Sequence, residues 1–196
     1  MYGTTLSFAN MHNHGALFAD ILLARREAFH SGRNWNLPET MGIEYDHYDT
    51  PVSRWLSVHD GTDTLIAGAR LTPSTARSGI YTYLIRDAQN GLLDQMPTNL
   101  LFEDAPVEEG VWELTRGFFV DGLSSDIRPE VMETLVSQAT SAAREEGIRK
   151  VVALLPAAWE PFAPRINLPM AAAGPVVSVG GRDSQAVWID FSAHQH

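Results

Sequence analysis

VWELTRGFFVDGLSSDIRPEVMETLVSQATSAAREEGIRKVVALL, residues Val111 to Leu155, reads as strand, helix and strand in succession. Val111 to Val120 is aromatic and β-branched, the composition of a strand. Ser125-Asp126 then offers a helix N-cap, Pro129 sits near the first turn, and Leu135, Val136, Ala139 and Ala143 carry a helical pattern to a stop at Gly147. Lys150 to Leu155 follows as a short apolar run, the mark of a buried strand. Two strands joined through a helix of this length are parallel, so the unit predicts a mixed α/β class with one sheet.

Outward from this unit, Arg54–His59 and Thr64–Leu71 form a hairpin around Asp60-Gly61-Thr62-Asp63. A second hairpin joins Val176–Val179 to Ala186–Phe191 through the six residues from Gly180 to Gln185. Ala16 to His30 is an amphipathic helix with Phe18, Leu22 and Phe29 on one stripe, which Arg25 shares. Asn34 to Thr50 has no period and reads as a loop, a common place for function. Tyr81 to Ile85 is a short strand or a helix start, Asp87 to Glu109 is loop-rich, and Trp159 to Asn167 is a short helix interrupted by Pro161 and Pro164.

At 196 residues the chain is expected to form one domain, residues 1–196. Hydrophobic residues at 44% and charged residues at 19% place it among ordinary globular proteins. A net charge of -10 argues against nucleic acid or an anionic membrane surface as the main partner. The absence of cysteine excludes disulfides and thiol nucleophiles and fits a cytoplasmic location. No stretch approaches the ~18 apolar residues of a membrane span. His12-x-His14 and His194-x-His196 have the spacing of paired ligands but stand in short termini, so no metal site is expected.

Charged residues recur where a core has no use for them: Arg25, Asp46, Asp49, Arg70, Glu113 and Arg116. Guanidinium groups take a carboxylate in bidentate fashion and carboxylates hold a cationic centre, so if these residues converge they suit a small zwitterion. The competing reading is a set of ion pairs between elements. Glu113 and Arg116 are three apart and would face opposite sides of a regular strand. A bulge near Leu114 or Thr115 would bring both to one cleft and free backbone N–H groups for an oxyanion.

The order and spacing Arg25-x3-Phe29-x5-Trp35, Glu44-x-Asp46-x-Tyr48-Asp49, Arg70-Leu71-x-Pro73 and Trp112-Glu113-x-x-Arg116 resembles the acyl-homoserine lactone synthase, or autoinducer synthase, family. The resemblance spans roughly residues 20 to 120. It implies a fold like that of the Gcn5-related N-acetyltransferases. It also implies a quorum-sensing reaction in which the amine of S-adenosylmethionine takes an acyl group from an acyl carrier protein or acyl-CoA and the product closes to a lactone, releasing methylthioadenosine. S-adenosylmethionine is then a substrate, and no further cofactor is implied. On this reading Glu113 accepts the amine proton, directly or through a water, with Arg116 beside it. Asp46 and Asp49 hold the ammonium or sulfonium, and Arg25, Arg70 or Arg116 takes the carboxylate or braces the acids. Phe29 and Trp35 wall the adenosyl group or face the sulfonium.

An acyl chain would need an apolar pocket, for which the strand–helix–strand unit offers Phe118, Phe119, Met132, Leu135, Val152 and Leu154. Arg144, Arg149, Lys150 and Arg165 are the one basic cluster able to dock an acidic carrier protein. Asp126 at the helix start disfavours a tightly held pyrophosphate there, which leans toward a carrier-protein donor. The chain departs from the family in having Gly117 after Arg116, where an aromatic is usual, and no Ser or Thr near Val152 to Leu155 for a 3-oxo group. Two alternatives remain: a generic N-acetyltransferase using acetyl-CoA, weakened because Asp121 to Pro129 offers only Gly122 as a phosphate-cradling glycine, and a catalytically silent small-molecule-binding domain.

Overall fold

The computed structural model describes residues 1–30 and 39–194. Seven of the described strands belong to one mixed sheet, and the chain divides into two compact units. The mixed α/β class read from the sequence is the class observed.

The first unit comprises Met1–Leu71 and Arg116–Ala139. It holds β1 (Tyr2–Leu6), α1 (Leu17–His30), the short pair β2 (Glu39–Thr40) and β3 (Ile43–Glu44), and β4 (Arg54–His59). It also holds most of β5 (Leu65–Pro73), the end of β6 (Val111–Phe119) and most of α3 (Arg128–Glu146). β1, β4 and β5 lie side by side and antiparallel, with Tyr2 opposite His59 and Trp55 opposite Arg70. The β4–β5 hairpin forms as its turn residues require: Asp60 accepts N–H bonds from Thr62 at 2.7 Å and Thr64 at 3.0 Å.

β1 was not expected from the sequence. It is an edge strand of five residues with little apolar content, held by the pairing with β4 and by Gln138, whose side chain donates to Thr5 Oγ1 at 2.6 Å. Gly3 is required there, because a Cβ would sit 2.8 Å from the Cβ of Gln138. The stripe of α1 packs Ile21, Ala28 and Phe29 against Leu6, Trp55 and Phe118, and Val131 of α3 packs on Val58, Ile66 and Ala67. These contacts bury enough apolar surface to enclose the charged residues that lie beside them.

The second unit comprises Thr72–Thr115 and the chain from Thr140 onward. It holds α2 (Leu84–Gln89), the start of β6, β7 (Lys150–Pro156), α4 (Ala163–Ile166), β8 (Met170–Val179) and β9 (Arg182–Asp190). β6 and β7 are parallel, from Val111 opposite Lys150 to Leu114 opposite Ala153, as the strand–helix–strand reading requires. α3 closes at Gly147 with φ 67°, also as expected. Tyr81 to Ile85 resolves into a bridge between Ser78 and Tyr81 followed by α2.

The C-terminal hairpin is tighter than the sequence indicated. Its strands run to Val179 and from Arg182, and the turn is the pair Gly180-Gly181, both at positive φ, 57° and 77°. Two consecutive residues of that kind match the twist of the flanking strands, which the polar run Arg182 to Gln185 concealed. The Trp159 to Asn167 segment is a 3-10 turn, Glu160–Phe162, followed by α4 and ending on Asn167 at φ 55°.

Candidate functional site

α1, β3, the turn after it, β5 and the end of β6 each carry charge into one buried cluster in the first unit. Arg25 lies on the inner face of α1 because its position shares the apolar stripe with Leu22 and Phe29. Its Nε donates to Glu44 Oε2 at 2.6 Å, while Nη1 and Nη2 form a fork on Asp49 at 2.7 and 3.1 Å. Arg70, wholly buried in β5, grips Asp46 through Nη1 at 2.5 Å and Nη2 at 3.2 Å and meets Asp49 at 3.0 Å. Arg116 reaches Glu44 at 3.0 Å and Asp46 at 2.7 Å, and its guanidinium stands 5.7 Å from the centre of the Phe29 ring.

The turn that supplies the acids is ordered by its own side chains. Asp49 accepts the backbone N–H of Asp46 at 3.0 Å, Asp46 accepts that of Tyr48 at 2.9 Å, and Ser53 donates to the carbonyl of Tyr48 at 2.6 Å. Trp55 Nε1 adds a bond to Asp49 at 2.9 Å, and Tyr48 lies under Arg70, 5.6 Å from ring centre to guanidinium. A carboxylate so enclosed loses its water, and its charge survives only through these donors.

Burial alone would raise the pKa of Asp46, but the Arg70 and Arg116 guanidiniums outweigh it and hold the carboxyl well below the usual range. Burial likewise opposes the charge of Asp49, and Arg70 and Arg25 reverse the effect. Arg70 is desolvated too, yet Asp46 and Asp49 push its pKa above the ordinary arginine value. Asp46, Asp49 and Arg70 therefore stay ionised in a space that nearly excludes solvent.

The backbone of Arg116 adopts φ 53°, a left-handed conformation uncommon for a side chain of this size. The parallel register of β6 with β7 ends at Leu114. The expectation was a bulge at Leu114 or Thr115; what the described residues show is one left-handed residue, Arg116, within the strand Val111–Phe119. Its strain is sustained by the ion pairs to Glu44 and Asp46.

Glu113 belongs to the second unit and is fully buried. Its carboxylate accepts the backbone N–H groups of Leu84 at 3.1 Å and Ile85 at 2.7 Å, the first turn of α2. Burial, and then the charge of Glu113, push the Tyr83 phenol above its ordinary value.

A cavity of about 240 Å³ is lined by residues 117–122 with Ala28 and Arg128. Phe118 and Phe119 belong to its wall, but Met132 and Leu135 do not. On α3 the inward position is Val131 rather than Met132, and Leu135 packs with it against the sheet. Val152 is buried and Leu154 half-buried on β7 in the second unit. The basic cluster is partly neutralised: Arg149 pairs with Glu108 at 2.6 Å, and Lys150 lies 4.1 Å from the Trp188 ring centre. Trp35 lies outside the described residues, as does His196.

No protein-family model matches the chain. An acyl-homoserine-lactone synthase of Ralstonia nicotianae is 29% identical over 173 residues, which cover 86% of this chain and 79% of that protein. The crystal structure of TofI in a ternary complex with an inhibitor and MTA matches with a TM-score of 0.74 and 25% identity, over 100% of this chain and 94% of that one. The chain is similar to acyl-homoserine-lactone synthases in both sequence and fold.

The fold likeness extends to BjaI, a CoA-dependent acyl-homoserine lactone synthase solved with SAM and isopentyl-CoA, at a TM-score of 0.73 and 20% identity over 97% of this chain and 84% of that one. It reaches an acyl-CoA N-acyltransferase from Pseudomonas aeruginosa at 0.60 and 14% identity over 96% and 99%. The acetyltransferase-like fold expected from the resemblance is therefore the fold observed. Three members of the cluster had no role assigned from the sequence, although Glu44 and Tyr48 stand in the spacing that carries the resemblance. Glu44 bridges Arg25 and Arg116, Tyr48 underlies Arg70, and Trp55 holds Asp49. The spacing Glu44-x-Asp46 was the available signal for the first, since alternate residues of an extended chain share a side. Trp55 gave none, because an aromatic in a strand reads equally well as core.

Proposed function

We propose that this protein is an acyl-homoserine-lactone synthase, an acyltransferase of quorum sensing, acting as one cytoplasmic domain. The amine of S-adenosylmethionine attacks the carbonyl of an acyl thioester on an acyl carrier protein or coenzyme A, forming the amide and expelling the thiol. The carboxylate of the same substrate then attacks the carbon beside the sulfonium, closing the lactone and releasing methylthioadenosine. One observation carries this reading: six charged residues of the resemblance, scattered from Arg25 to Arg116, meet in one buried cluster in a chain that covers 79% of a curated synthase.

The amine must lose a proton before it attacks. Glu113 is the base, acting directly or through a water, its carboxylate held in place by two backbone N–H groups. Asp46 and Asp49 face the ammonium or sulfonium, while Arg25, Arg70 and Arg116 keep both acids charged and one of them receives the substrate carboxylate. Phe29 and Trp35 border the adenosyl group, and the cavity beside Phe118 and Phe119 takes the thioester end. Among the described residues no helix is long and apolar enough to cross a membrane.

Purified protein, S-adenosylmethionine and a panel of acyl-CoA and acyl-carrier-protein thioesters test this directly. The sequence has no cysteine, so thiol release is read without background. Equal release of thiol and methylthioadenosine is expected. Thiol release with an ordinary amine but none with S-adenosylmethionine would make the protein a plain N-acetyltransferase, and no turnover with any donor would make it a binding domain. Glu113→Gln should lower turnover by roughly 10²–10⁴ while the protein stays folded.

A further inference from the structure

Glu113 is not aimed by its own strand alone. The first turn of α2 begins at Tyr83, whose backbone is extended, φ -138° and ψ 156°, and whose side chain gives the helix no cap. The cap comes instead from Glu113, 29 residues further along the chain from Leu84. That arrangement works in both directions: the carboxylate satisfies two orphan donors, and the two donors fix the carboxylate.

The donors are themselves fixed by a second carboxylate. Asp87, fully buried within α2, reaches back to Thr82 and accepts its backbone N–H at 2.8 Å and its hydroxyl at 2.6 Å. The backbone N–H of Asp87 in turn donates to the carbonyl of Tyr83 at 2.9 Å. These bonds close the chain around Tyr83 from both ends and set the direction of the Leu84 and Ile85 N–H vectors. The Tyr83 hydroxyl, bonded to the carbonyl of Pro106 at 2.6 Å, anchors the middle of the same turn. Arg86 points elsewhere, donating to the carbonyl of Ala105 at 2.9 Å. On β7, Glu113 lies opposite uncharged Val152.

We propose that Asp87 and Thr82 are positioning residues for the reaction: by holding the first turn of α2 they hold the Glu113 carboxylate in place and in its ionised form. The inference rests on the assignment of Glu113 as base. With the Thr82–Asp87 bonds loosened, the two N–H donors wander, the anion loses part of its stabilisation, and Glu113 binds its proton more tightly. A base that is protonated or misaligned slows the chemical step and leaves substrate binding nearly intact.

The test uses protein labelled with ¹³C at the glutamate carboxyl carbons, with the Glu113 resonance assigned by its loss in Glu113→Gln. In Thr82→Val the Glu113 midpoint is expected to rise by about one pH unit, whereas Asp87→Asn also removes a neighbouring negative charge, which pulls the midpoint down, and is therefore read by turnover. Turnover should fall ~10-fold with the KM for S-adenosylmethionine unchanged, and Thr82→Ser should restore both. Thr82 is only half-buried, so its variants keep the test alive if Asp87→Asn does not fold. An unshifted Glu113 midpoint in folded Thr82→Val overturns the proposal, and so does a KM increase without loss of kcat. Full turnover in Glu113→Gln refutes the base assignment and the catalytic half of this inference, whatever the titration shows.

Discussion

Asp46 and Asp49 in the first unit and Glu113 in the second are buried carboxylates kept charged by different means. The first two meet guanidinium groups, with Arg70 on both, Arg25 on Asp49 and Arg116 on Asp46. The third accepts the backbone N–H groups of Leu84 and Ile85. The difference matters because guanidiniums belong to side chains and balance charge with charge, so losing one leaves a whole ion unpaired. Backbone donors survive any side-chain change at their own positions and supply only partial charge. The ionic cluster should therefore be the more stabilising and the more fragile, and the Glu113 site the more tolerant in stability while being the more sensitive in rate.

The largest effect that tests this contrast is Arg70→Ala, which strands Asp46 and Asp49 in a dry interior and is expected to cost about 3–5 kcal/mol in urea denaturation. A loss below about 1 kcal/mol would mean that the cluster behaves as a solvated surface network. Acid comes next. The folded pKa values of Asp46 and Asp49 are lowered, so their contribution is complete above the unfolded carboxylate value, about 3.9, and is lost as pH falls through the lower folded values. Stability should therefore fall progressively as pH is taken below about 4 toward those lower folded values, and Asp46→Asn should shrink that loss.

Smaller effects sharpen the comparison. Trp55→Phe removes the indole donor to Asp49 and is expected to cost about 1.5 kcal/mol by thermal melting. Glu113→Gln keeps one acceptor oxygen for the α2 turn and should cost about 1 kcal/mol, far less than Arg70→Ala, despite its much greater effect on turnover. Equal stability losses in those two variants would erase the distinction between the sites. Gly117→Ala stands at the small end. A Cβ there meets nothing within 4 Å, so stability should change by no more than ~0.5 kcal/mol, while any narrowing of the adjoining cavity would appear as altered preference among acyl thioesters.

The hairpin at Asp60 and the strand–helix–strand run from Val111 were legible in the sequence because their signals are local: turn chemistry, period and caps lie within a few residues of one another. β1 was not, since five residues of mixed polarity become a strand only through the neighbouring β4. The Gly180-Gly181 turn was placed too broadly because the polar face of β9 imitates a loop. Within the cluster, Arg25 was visible as a charge on an apolar stripe, whereas the bridging role of Glu44 depends on where α1 and β6 come to rest.

By itself the sequence determined the strand–helix–strand unit, the helix that carries Arg25 and the hairpin at Asp60, that the class is mixed α/β, and which charged residues stand where an apolar core would not put them. Spacing along one chain carries that much, because helix and strand periods are set by backbone geometry. Only the tertiary structure decided how those charges are spent: Arg25, Arg70 and Arg116 pair with Glu44, Asp46 and Asp49, Arg116 takes a left-handed backbone within β6, and Glu113 caps α2. Pairing in a dry interior depends on distances between groups far apart in the chain, and those distances are fixed only when the hydrophobic faces of separate elements have packed.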